Sequence, residues 1–325
     1  MAQTIQKWFR MIFMVVLIVA LPVVAGAALD RTYTQGNFLL ELDGVIVGPL
    51  KSIEGGMPTS DVVLEKLGPD SVQRKHLAGI KYGEITVMFG AGMTKPMYQW
   101  MQDTLAGKHP RKNGAIVYTD FNSIEIKRLT FANALISEIG FPELDGASKN
   151  QALFTLKISP EYTRPEKGKG GKVTATFGKQ EALIPTNFRL TMAGLDMTKV
   201  SKVEALVVKQ KVQLDGIGDS RDYAKLPAAL EIPNLVIEMS EAGVQSTADW
   251  FNDFVVKGSN GQDKEKSATI ELLDPSLRTV LMTINLNNLG IFKLESLKTL
   301  ANTEAVAKVR ASMYCETMQF NFSGK

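Results

Sequence analysis

The chain has 325 residues, 45 % of them apolar and 22 % charged, enough for two globular domains that each bury a core. Its formal charge of +3 includes Lys7 and Arg10 near the N-terminus, leaving about +1 elsewhere, which excludes a general electrostatic reason to bind nucleic acid. A single cysteine, Cys315, excludes an intrachain disulfide and leaves core packing to hold the fold.

Residues 1–28 read as a targeting segment. Lys7 and Arg10 precede the apolar run Met11 to Val24, and Ala25-Gly26-Ala27 is a small-x-small cleavage site that would free a chain starting at Ala28. Uncleaved, the stretch from Met11 to Leu29 is just long enough to anchor in a bilayer. Either way the expectation is export: to the periplasm, the cell surface or outside, or to the inner membrane if the anchor stays. Membrane contact is expected only through this segment.

A first domain is expected over 34–163. Phe38 to Leu42 predicts a strand, Asp43-Gly44 a tight hairpin turn, and Val45 to Ile53 the return strand. Val62-Val63-Leu64 predicts a short strand, Gly68 to Gly79 a polar loop, and Ile85 to Phe89 another strand. Met97, Trp100, Met101 and Leu105 then have helical spacing, with Thr94 as N-cap, Pro96 in the first turn and Gly107 as the stop. Strands resume at Ala115 to Tyr118, paired with Ile124 to Leu129 across Asn122-Ser123, and continue through Phe131 to Ile139 and Ala152 to Ile158.

A flexible basic linker is expected over 164–185, beginning near Pro160 and centred on Glu166 to Lys172, with a short strand at Val173 to Phe177. A second domain, 186–325, opens with Phe188 to Met192. An extended segment from Val200 to Val212 and a strand at Leu235 to Met239 follow. Ser246-Thr247-Ala248-Asp249 has the form of a capping box before a helix whose apolar face is Trp250, Phe251, Phe254 and Val255, stopped by Gly258. Ala268 to Leu273 and Arg278 to Leu286 form a hairpin around Pro275. Ile291 to Leu297 and Val309 to Phe322 complete the sheet, with Cys315 a small strand residue; as an odd cysteine it leaves an intermolecular disulfide open.

The two parts repeat. Asn37, Phe38, Leu40 and Gly44 recur 150 residues later as Asn187, Phe188, Leu190 and Gly194, Ile53-Glu54 recurs as Val203-Glu204, and Trp100 and Asp103 recur as Trp250 and Asp253. Runs of strands with one helix between them predict a mainly β protein: two tandem β-sandwich or barrel domains, each with one flanking helix. Trp100 and Trp250 are the expected structural anchors of those helices.

Chemistry is sparse. His76 and His109 sit in basic stretches with no second ligand at metal spacing, and no serine or cysteine occupies a nucleophile-elbow pattern. Gly168 to Lys172 departs from the phosphate-loop spacing, because Val173 follows the lysine. Glu54, Asp103 and Asp120 form no acid–base pair by position. No enzyme, cofactor or metal site is expected.

Residues 70–132 resemble the contractile phage tail tube proteins and the related inner tubes of phage-like injection systems. The motif is a basic pair, Arg74-Lys75, then Gly79, Lys81-Tyr82, alternating Ile85 and Val87, and Gly90. Trp100 follows on its helix, then the basic tract Lys108 to Lys112 leads into Ala115 to Asp120. The resemblance extends over about 36–163. The second half shares it through the repeat but carries Asp215 to Tyr223 in place of the basic loop. The resemblance implies homo-oligomeric rings of six domains closed by strand pairing and stacked into a hollow tube, with Arg74, Lys75, Gly79, Lys81 and Tyr82 in ring-to-ring contacts. A tandem duplication would build such a ring from three chains with pseudo-sixfold symmetry. The export segment departs from the family pattern. The competing readings are an exported two-domain binding module that stays small, contacting its ligand through Gly68–Gly79 and the basic linker, and a cytoplasmic tail tube protein with an atypical N-terminus.

Overall fold

Alternating apolar side chains and Gly-rich turns put most of the chain into antiparallel strands, whose ladders satisfy the backbone while one face of each sheet enters the core. The computed structural model describes residues 36–65, 73–174, 183–216, 222–298 and 306–323. The targeting segment with Ala25 and Ala27, and the expected loop and linker residues 68–72 and 175–182, lie outside them.

The first half contains β1 (Asn37–Leu42), β2 (Val45–Leu50), β3 (Ser52–Gly55), β4 (Pro58–Glu65), β5 (Arg74–Tyr82), β6 (Ile85–Phe89), α1 (Lys95–Leu105), β7 (Lys112–Thr119), β8 (Glu125–Phe141), β9 (Leu144–Asp145), β10 (Phe154–Ser159) and β11 (Tyr162–Lys167). The second contains β12 (Phe188–Met192), β13 (Val200–Val203), β14 (Leu206–Asp215), β15 (Ala224–Glu231), β16 (Leu235–Ser240), α2 (Gln245–Phe251), β17 (Lys266–Leu273), β18 (Val280–Ser296) and β19 (Lys308–Phe322). A π-helical turn, Asn252–Val256, continues α2.

The β1–β2 turn forms as expected, with Asp43 and Gly44 both at positive φ, 49° and 84°. That geometry matches the twist of the flanking strands. The return strand breaks at Lys51 and divides its partners: β2 lies on β1, whereas β3 lies on β6. β8 is long enough to serve two neighbourhoods. Its first part pairs with β7 and β11, and its last residues pair with β10 and β14. The sheets therefore curl around a core instead of stacking flat.

Strand order repeats between the halves. One sheet runs β2-β1-β7-β8-β10-β6-β3 and the other β12-β17-β18-β19-β16-β13-β9. Apart from β2 and β9, the strands correspond one for one. The irregularities correspond too. Ser137 is skipped in the β8–β10 register as Phe292 is in β18–β19, and the β4–β5 ladder shifts between Ser60 and Val62 as β14–β15 does between Gln210 and Val212.

One apolar core includes residues of both halves. At their junction Phe320 packs edge-on to Phe141 at 5.2 Å, and Phe322 stacks on Tyr98 of α1 at 3.9 Å between ring centroids. Trp100 is buried and its indole N–H donates to the Pro110 carbonyl at 2.9 Å. Trp250 is also buried, with Lys266 over its ring at 5.5 Å.

Several local expectations are corrected. Thr94 occupies the N-cap of α1, but its side chain makes no capping bond. α2 starts at Gln245 with Val244 as N-cap, so Ser246 does not cap; its hydroxyl accepts the Asp196 N–H at 3.1 Å. Val255 is 41 % exposed and leaves the apolar face, because the π turn rotates it outward. The segment Val200 to Val212 divides into β13 and β14. The start of the expected linker is structured: β11 pairs with β8 as far as Lys167, and Lys172 bridges to Ile124. Val173 packs on Leu39, Ala115 and Val117 of the first half.

Candidate assembly interface

The most extensive joint between the halves is a sheet extension. The β14–β15 hairpin leaves the second half and lays the start of β14 along the outer edge of β8, pairing Leu206 with Phe141, Val207 with Gly140, Val208 with Ile139 and Lys209 with Glu138. Leu206, Val208, Ile139 and Phe141 are all buried there. An unpaired edge invites such addition, and the ladder satisfies backbone groups that water would otherwise have to.

Near the hairpin's far end a polar cluster fixes its position. Lys225 is 7 % exposed, and its ammonium donates to Ser159 Oγ at 2.9 Å. Its backbone N–H donates to Glu161 Oε1 at 3.2 Å, the same oxygen that pairs with Arg111 Nη1 at 2.7 Å. The Arg111 guanidinium also donates to the Lys225 carbonyl. Burial pushes the Lys225 ammonium below the usual lysine range, and the carboxylates of Glu84 and Glu161 oppose that shift. A buried cation held this way tolerates little displacement, so the cluster acts as a latch.

The motif residues Arg74, Lys75, Gly79, Lys81 and Tyr82 are brought together, but on a strand. They lie on β5, which pairs with β4 in a two-stranded sheet, instead of in the expected polar loop. The hairpin is exposed along most of its length, which removes the alternation that would have marked it as a strand. Lys81 pairs with Asp61, and His76 lies 3.3 Å from Glu65, so that histidine belongs to a surface pair. Gly79 faces open space. Tyr82 points the other way: its hydroxyl donates to Asp222 Oδ1 at 2.9 Å, binding the two halves of this chain together. Sequence reasoning missed Lys225, Glu161 and Arg111. The available signal was the repeat itself, in which Lys225 holds the place of Lys75.

Cys315 is buried on β19, its thiol pushed up to about 11 by burial. Among the described residues no cluster of side chains is suited to a metal ion, and no helix is long and apolar enough to cross a membrane.

Residues 34–164 match the family described as T4-like virus tail tube protein gp19, which is less than half of the chain. The protein is thus phage tail tube-like, with the match falling on the first half, where its motifs lie. No curated protein matches the chain. Solved structures with similarity include a chain of the anti-feeding prophage baseplate, at 17 % identity, covering 43 % of this chain and 99 % of that one with a TM-score of 0.38. A chain of the sheath–tube complex of an extracellular contractile injection system, in the extended state, has 20 % identity, coverage of 42 % and 88 %, and a TM-score of 0.30. Hcp1 from Flavobacterium johnsoniae has 13 % identity, coverage of 42 % and 97 %, and a TM-score of 0.26. At these scores the likenesses carry no argument beyond the family match.

Proposed function

We propose that this chain is the structural subunit of a hollow tube or ring, three chains closing a ring of pseudo-sixfold symmetry that assembles outside the cytoplasm. The observation that carries this reading is the β14–β15 hairpin seated on β8, with its counterpart hairpin β4–β5 paired only to itself among the described residues. The internal joint is head-to-tail, second half onto first. Repeating it from one chain to the next generates a rotation, and a head-to-tail contact closes into a ring when its rotation closes. The matching strand orders support a tandem duplication, and three duplicated chains supply the six domains that the family resemblance implies. The apolar N-terminal segment supports export, with Ala25 and Ala27 the small residues that precede cleavage before Ala28 and an inner-membrane anchor if it is retained. On this reading Arg74, Gly79 and Lys81, on the exposed hairpin, would make contacts between subunits or stacked rings.

Negative-stain electron microscopy of the chain beginning at Ala28 tests this. Rings or tubes of sixfold appearance are expected. Single-chain particles over a wide range of concentration and salt would shift the reading to a small binding module.

A further inference from the structure

This inference rests on the ring reading above and names the surfaces that meet between chains. We propose that the β4–β5 hairpin of one chain extends the outer edge of β18 in a second copy, in the register that β14 takes on β8, with Lys75 entering an acidic site formed by Glu265, Tyr314 and Glu316.

The chain carries its own template. The shared ladder shift at Ser60/Val62 and Gln210/Val212 equates β4 with β14, residue for residue. The shared bulge at Ser137 and Phe292 equates the end of β8 with the end of β18. Carrying the internal pairing across gives Met57 opposite Glu295, Pro58 opposite Leu294 and Thr59 opposite Lys293; Gly56 stays outside this ladder, its N–H donating to the Glu84 carbonyl at 3.0 Å and its carbonyl accepting the Thr163 hydroxyl. The internal edge is covered: Ile139 and Phe141 are 1 % and 2 % exposed. The equivalent edge is open: Phe292 is 47 % exposed, and among the described residues no strand pairs with the side of β18 opposite β19 between Gly290 and Ser296. The hairpin that would cover it exposes Met57, Val62, Leu64 and Leu77, the last at 76 %. A self-paired hairpin with exposed apolar side chains and an open strand edge on one chain are complementary liabilities that assembly removes together. Pro58 donates no N–H, so side-chain contacts must carry more of this joint than of the internal one.

Charge agrees with the placement. Lys75 is the counterpart of the latch residue Lys225 and is exposed on β5. The latch partners Ser159 and Glu161 correspond to Tyr314 and Glu316 on β19. Where Arg111 stands beside Glu161, the second half places Glu265, whose Oε1 accepts the Tyr314 hydroxyl at 2.7 Å. No salt bridge among the described residues reaches Glu265 or Glu316. The site therefore has two carboxylates and lacks the arginine, a setting that favours an incoming ammonium.

The test is a pair of engineered cysteines, Met57→Cys and Glu295→Cys, oxidised in the assembled protein. Directly opposed strand residues bring Cβ atoms within disulfide reach, and buried Cys315 is a poor competitor. The double variant should give covalent dimers and trimers and nothing larger, and a mixture of the two single variants should give dimers only. Rings that form without cross-linking would overturn this register while leaving the ring reading intact; single-chain particles throughout would overturn both. Lys75→Glu should abolish rings and Lys75→Glu with Glu316→Lys should restore them. Failure of the swap in a folded, ring-competent background would overturn the placement of Lys75.

Discussion

Phe320, on the last strand, meets Phe141, near the end of β8, with ring centroids 5.2 Å apart and planes at 63°. The two residues belong to opposite halves and lie 179 positions apart in sequence. Phe320 also packs against Phe154 and Tyr98. The contact lies at the junction, so its loss should be felt by both halves. Phe320→Ala should cost about 3–5 kcal/mol, the usual range for truncating a buried aromatic, read by urea unfolding. A loss well under about 1 kcal/mol would mean that the junction repacks without it.

The two tryptophans predict a graded result. Trp100→Ala should cost roughly 3–5 kcal/mol. The conservative change separates packing from hydrogen bonding. Trp100→Phe leaves the Pro110 carbonyl without its indole donor, a penalty of about 1–3 kcal/mol. The Trp250 indole N–H is buried without a partner among the described residues, so Trp250→Phe removes an unsatisfied donor along with the lost volume. Thermal denaturation should therefore rank Trp100→Phe as the more damaging change. The reverse order would contradict the assigned environments.

Acid sensitivity is expected at the β17–β18 turn. Asp274 accepts from Ser276 Oγ at 2.6 Å and from the backbone N–H groups of Arg278 and Thr279 at 2.9 and 3.0 Å. Those donors, the Ser276 hydroxyl first, hold its carboxyl down at about 2. A folded pKa below the unfolded value of about 3.9 contributes stability that is present above that value and is lost as pH falls toward 2. Asp274→Asn should lower Tm at pH 7, and the gap from the unaltered protein should close near pH 2. A gap unchanged between those pH values would contradict this account of the turn.

Cys315 sets a simple chemical check. The residue is 9 % exposed, and its thiol donates to the Thr317 carbonyl at 3.1 Å and is raised by burial to about 11. Both burial and the small thiolate fraction slow reaction. A thiol reagent at pH 8 should leave the native protein unmodified and react stoichiometrically after denaturation. Rapid reaction of folded protein would reopen the intermolecular disulfide.

Much of this fold is written in local pattern. The Asp43-Gly44 turn, the alternation in Ile85 to Phe89 and the helical spacing around Trp100 each depend on near neighbours, and each forms as the pattern requires. Elements set by distant partners are less visible. β5 reads as a polar loop because both its faces are wet. β11 reads as linker because Arg164-Pro165-Glu166-Lys167 is a charged sheet-margin sequence whose identity comes from β8 beside it. Ser246 has the chemistry of a cap but is taken by Asp196. Lys225 looks like any surface lysine until β14 lies on β8 and brings Ser159 and Glu161 to it. Long-range pairing has no marker in a single sequence beyond the repeat, and there the repeat preserves strand order better than residue identity.

On the ring reading proposed above, the internal joint between halves is reused between chains. An electron-microscopy reconstruction of the assembled particle, refined without imposed symmetry, tests it most directly. The expected particle is a ring of six similar lobes whose true symmetry is threefold, with the two kinds of lobe alternating and every junction made by a hairpin on a strand edge. A particle of one chain, or a ring whose chains meet away from β4–β5 and β18, would contradict it.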